Sequence, residues 1–163
     1  MADEYTTEPQ PKIADIRPLT MAYVALSGLI LGFIAWGLTV IISNFVIDPL
    51  FCRTDSANFS VCAQGGSLAS NIALIFASGF GLLALVRLGI FRPLLVALAS
   101  AITLWGVGTW VGGMGWYIAL LWSGVLFALA YVTYTWLSQI RSFVIALVAI
   151  IVVIAVARIV PIL

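Results

Sequence analysis

Five apolar stretches, each long enough to cross a bilayer as a helix, take up most of this chain, and almost no charge interrupts them. A hydrocarbon core of about 30 Å needs about 20 helical residues, so five spans require roughly 100–110 residues. With 163 residues in all, that leaves a short tail and one sizeable loop. The chain is 64% hydrophobic and 8% charged, with a mean hydropathy of +1.22, a balance that suits lipid as the solvent. The expected fold is therefore all-α: a polytopic integral membrane protein forming a compact five-helix transmembrane bundle, with no second globular unit.

The pattern places the spans at about 19–47, 67–86, 93–111, 116–137 and 142–160. They form a single transmembrane domain over 19–163. Residues 1–18 are polar, mixed in charge and hold three prolines, which predicts a flexible cytoplasmic tail and not a cleavable signal. The first span is expected to stop at Asp48-Pro49, because proline cannot continue a helix and disfavours helical geometry in the residue before it. At 29 residues it would measure roughly 43 Å, so it must tilt or protrude. Residues 48–66 form the one large loop. Pro93 is suited to open the third helix, and the glycines of 112–115 to a sharp turn. No span carries a proline break of the kind seen in discontinuous binding helices.

Lys and Arg set the expected orientation. With the N-terminus inside, Lys12, Arg17, Arg87, Arg92 and Arg141 lie on the inner side, and only Arg53 and Arg158 on the outer. The positive-inside rule then puts the N-terminus in the cytoplasm and the C-terminus outside. The aromatic residues agree: Trp110, Trp116 and Tyr117 would mark the outer interface, and Tyr131, Tyr134 and Trp136 the inner one. Arg87, Arg92, Trp110, Trp116, Trp136, Arg141 and Arg158 are the expected interface anchors.

Cys52 and Cys62 are the only cysteines, and both fall in the outer loop, where an oxidising compartment favours a disulfide. Closing a loop of this length would stabilise the fold by about 2.7 kcal/mol in the chain-entropy model. Their spacing is too wide for a typical redox pair. Asn58-Phe59-Ser60 matches a glycosylation acceptor, which matters only in a eukaryotic host.

Small residues recur at helical spacing. Gly28-x-x-x-Gly32 and Gly108-x-x-x-Gly112 permit close backbone approach and read as helix-packing or oligomer faces. Asn71, Ser78, Ser100 and Thr103 are candidates for a polar lining. Asn71, the most polar residue within any span, reads first as an interhelical brace, since a buried amide in lipid seeks a partner on a neighbouring helix. Arg158 reads as an anchor reaching the outer headgroups. Trp105, Trp110, Trp116 and Trp122 read as packing and interface residues before any ligand cradle.

Several chemistries have no residues to support them. The chain holds no histidine, which removes the usual haem, zinc and imidazole-shuttle chemistry, and no Asp or Glu lies within the expected spans. No metal, cofactor or catalytic residue is expected, and no basic run suggests nucleic acid. The reading is a non-catalytic integral membrane protein, an accessory, scaffold or assembly subunit of a membrane complex. The alternative is an oligomeric small-solute channel or facilitator. Expected partners are membrane lipid and other membrane proteins, or further copies of the chain. The expected location is a cell membrane, the bacterial inner membrane by default.

Overall fold

The computed structural model describes residues 18–52, 64–90, 92–140 and 142–159, and the side chains of Pro18, Phe51 and Arg158 fall outside the description. Regular structure among the described residues is entirely helical. In chain order the elements are α1 (Pro18–Ile42), a π-helical segment (Ser43–Ile47), α2 (Asp48–Phe51), α3 (Gly65–Arg87), α4 (Pro93–Leu104), α5 (Val107–Val111), α6 (Trp116–Ser138) and α7 (Phe143–Ile159). Three helices are long and apolar enough to cross a membrane: Leu19–Leu50, Gly65–Arg87 and Trp116–Ser138. α4 and α7 are apolar but shorter, at 12 and 17 residues.

The first helix does not stop at Asp48-Pro49. It continues to Phe51, through the π-helical segment directly upstream of the proline. The Asp48 N–H donates to the Ser43 carbonyl, one residue further back than in an α-helix. Pro49 would otherwise press its ring against the Phe45 carbonyl four residues earlier. Widening the preceding turn relieves that clash without ending the helix, a role π-bulges take elsewhere. Asp48 is consequently an exposed residue of the helix and not of a loop.

α6 is the centre of the bundle, packed on by α1, α4, α5 and α7, with α3 seated between α1 and α4. α1 and α6 make the most extensive pairing. Their facing stripes are Val24, Gly28, Leu31, Gly32 and Ala35 on α1, and Ser123, Gly124, Phe127 and Tyr131 on α6. α3 buries a small-residue face, Ala69, Ser70, Ala73, Ala77 and Gly81, so neighbours approach it closely. The largest fully buried side chains are Tyr131 and Tyr134, packed in one core with Leu85, Val24 and Val96. A smaller cluster of Val107, Val111 and Ala119 lies beside Trp36.

The turn between α3 and α4 is a tight reversal. Ile90 N–H bonds the Leu85 carbonyl and Gly89 N–H the Val86 carbonyl, with Gly89 at φ +66°. This is a Schellman closure, completed by apolar contact between buried Ile90 and Leu85. Arg92 then adopts a left-handed conformation, φ 60°, immediately before Pro93 opens α4.

The expected third span, 93–111, is not one helix. α4 ends at Leu104, Trp105 is extended (φ −60°, ψ 122°), and Gly106 is left-handed (φ 85°, ψ 5°). These angles form a type II turn, whose third residue must have positive φ and is therefore glycine. α5 resumes at Val107 for five residues.

Candidate functional site

The break at Trp105–Gly106 draws together the most distinctive polar and open features among the described residues. Interrupting a helix frees backbone groups that then need partners elsewhere. The Asn71 side chain meets one of them, its Oδ1 accepting the Gly106 N–H at 3.3 Å. Within the resumed turn, Thr109 N–H and Oγ1 both donate to the Gly106 carbonyl, at 3.0 and 2.7 Å. Asn71 thus ties α3 to the break in the neighbouring segment.

A cavity of about 260 Å³ opens next to this break. Trp36 and Thr39 of α1, Ser70 and Leu74 of α3, Val107, Gly108 and Val111 of α5, and Ala119, Ser123 and Phe127 of α6 form its walls. Gly112, Met114 and Trp116, in and after the turn between α5 and α6, stand at the same site. The site exists because α5 leaves the line of α4: a continuous third helix would not place this wall where the turn puts it. Ser123 Oγ donates to the Gly32 carbonyl at 2.8 Å, and Thr39 Oγ1 to the Ala35 carbonyl at 2.8 Å. A second space of about 210 Å³ is bordered by Thr103, Trp110, Thr133, Tyr134 and Val153.

The glycine faces expected from sequence lie inside the bundle. A Cβ on Gly28 would lie 2.8 Å from Ala128 Cα, and one on Gly32 would lie 2.6 Å from the Ser123 carbonyl oxygen. α6 therefore fills the Gly28/Gly32 face, for which a second copy was the other reading. Gly108 sits against Ser70, where a Cβ would collide with the serine side chain. A Cβ on Gly112 would meet the Gly108 carbonyl oxygen at 2.9 Å, within its own segment.

The four candidate lining residues do not share one wall. Asn71 braces the break, and Ser78 folds back onto the Ile75 carbonyl at 2.7 Å on an outward surface of α3. Thr103 bonds the Ala99 carbonyl at 2.9 Å and also pairs with the Tyr134 hydroxyl of α6. Ser100 is fully buried between α4 and its neighbours, its Oγ without a hydrogen-bond partner among the described residues.

The expected anchors divide similarly. Arg87 is exposed at the last position of α3. The Arg92 guanidinium lies 4.8 Å from the centre of the Phe143 ring, fastening the α3–α4 turn to the start of α7 by a cation–π contact. Trp110, Trp116 and Trp136 are all about half exposed or more, and Trp116 meets Tyr117 edge to face. Arg141, Cys62, Arg53 and the 58–60 acceptor sequence lie outside the described residues, as does the Arg158 side chain. Cys52 closes the first helix, with its N–H on the Asp48 carbonyl at 3.2 Å.

Sequence reading missed Ser70, Ser123, Thr39 and Trp36 as members of one site. Their separation along the chain hides their proximity. Gly106 was the available signal: a glycine in mid-span followed by a shift in the small-residue pattern.

No family model, curated protein or solved structure matches this chain.

Proposed function

We infer that the chain is a non-catalytic integral membrane protein serving as an accessory, scaffold or assembly subunit of a membrane complex. The observation that carries this reading is how the polar side chains of its apolar helices are engaged. Asn71 with Gly106, Ser123 with Gly32, and Thr103 with Tyr134 each join two separate segments of the chain. In lipid, such bonds hold helices together where no hydrophobic drive does. They form a framework of braces rather than a wetted path, which favours a structural role over the channel or facilitator reading.

Within this reading all five segments cross the membrane, with the N-terminus in the cytoplasm and the C-terminus outside. α6 supports it, since Trp116 and Trp136 bracket about 30 Å of helix, the thickness of a hydrocarbon core. α7 contributes about 25 Å, and α4 with the turn and α5 makes up the third crossing. The bacterial inner membrane is the proposed location. Cys52 and Cys62 form a staple on the outer side, so maleimide should label the intact protein only after reduction.

The deciding experiment is gentle purification of the tagged full chain from its native membrane, with mass spectrometry of what stays attached. A stoichiometric partner supports the subunit reading. A homo-oligomer that carries solute flux in liposomes would replace it with the conduit.

A further inference from the structure

The 260 Å³ cavity beside the broken third segment has a chemistry of its own. None of the described residues that line it is charged, so those residues offer an ion or a carboxylate no counter-charge. Its walls are mostly apolar: Leu74, Val107, Val111, Ala119 and Phe127. An apolar cavity of about 150 Å³ accommodates benzene, so this one has room for about ten heavy atoms.

Hydroxyl groups give the space a polarity pattern. The Thr39 and Ser123 hydroxyl protons are committed to the Ala35 and Gly32 carbonyls, which leaves their oxygens as acceptors only. Ser70 differs. It is only 7% exposed, it lines the same cavity, and none of the side-chain hydrogen bonds among the described residues involves its Oγ. A hydroxyl lining the cavity in this state keeps its proton to donate. A ligand group that accepts from Ser70 and donates to Thr39 or Ser123 complements this pattern. A neutral hydroxyl does both.

We propose that this cavity binds a neutral, hydroxyl-bearing alkyl amphiphile of about ten heavy atoms, with its hydroxyl at Ser70 and its alkyl body along Val111, Ala119 and Phe127. Such a molecule concentrates in the bilayer, the solvent proposed for this chain. The same chemistry comes from two sources, a free medium-chain alcohol or the hydroxyl end of a neutral lipid. The proposal does not depend on whether the protein is a subunit of a larger complex.

The test uses the full chain in detergent with a photoactivatable diazirine analogue of 1-nonanol, followed by peptide mapping. Saturable labelling on α5 and α6 is expected, displaced by excess 1-nonanol and about tenfold less well by n-decane, which lacks the hydroxyl. Ser70→Ala removes only the hydroxyl and should sharply reduce that preference while leaving n-decane displacement unchanged. Ala119→Leu should fill the space and abolish saturable labelling, with elution volume and thermal stability confirming that each variant folds. Labelling that does not saturate and spreads over the outward apolar surfaces overturns the proposal. So does an undiminished preference for nonanol in Ser70→Ala. Lipid analysis of protein purified from its membrane separates the sources: a co-purifying neutral hydroxylated lipid that is lost in Ala119→Leu identifies the lipid, and saturable nonanol binding without one identifies a free alcohol.

Discussion

At the scale of single residues, the glycines differ sharply in what they do. Gly106 occupies a left-handed conformation that costs an L-residue roughly 1–2 kcal/mol. Gly106→Ala is therefore expected to destabilise the protein by about that amount in a denaturant titration. Gly37 lies within α1, and an added Cβ there would meet nothing within 4 Å, so Gly37→Ala should cause no loss. Equal effects at the two sites would contradict the turn. Asn71→Ala leaves the Gly106 N–H without its acceptor and should cost about 1 kcal/mol, within the range for polar bonds between membrane helices. Asn71→Asp would place a carboxylate in lipid and should be worse.

At the scale of elements, the closest contact is between α1 and α6. At Gly32 the atoms in the way belong to the backbone, the Ser123 carbonyl and Gly124 Cα, and neither can swing aside as a side chain can. Gly32→Ala should therefore cost about 1–3 kcal/mol by forcing the helices apart. It should also weaken the Ser123 bond to the Gly32 carbonyl, so Gly32→Ala and Ser123→Ala together should cost less than the sum of the two singles. Full additivity in that cycle would mean that the bond and the close approach are independent. The π-helical turn before Pro49 illustrates the same scale: a local adjustment keeps an element intact where residue rules alone would end it.

At the scale of the whole molecule, the test is topology. In a variant lacking Cys52 and Cys62, a single cysteine introduced by Ala2→Cys should resist a membrane-impermeant maleimide in sealed cells. One introduced by Asn58→Cys should label readily. The reverse pattern would invert the proposed orientation, and labelling at both sites would break the proposed crossing of the first helix.

Sequence alone determined the helical class of this protein and pointed to lipid as its solvent. Long apolar runs with charge confined between them suit helices, which satisfy every backbone group within one segment. Pro93 was legible too, because turn chemistry is local and depends on residues adjacent in the chain. Gly28 and Gly32 announced a close approach but not its partner, since a small-residue stripe fits a neighbouring helix or a second copy. Only the tertiary structure chose α6. It also decided the break at Trp105–Gly106, because a mid-span glycine is compatible with a continuous helix until a side chain such as Asn71 arrives from elsewhere to receive the freed N–H. The cavity follows from that decision. Ser70, Thr39 and Ser123 sit on three different helices, and their meeting depends on packing between segments far apart in the chain, which no local pattern encodes.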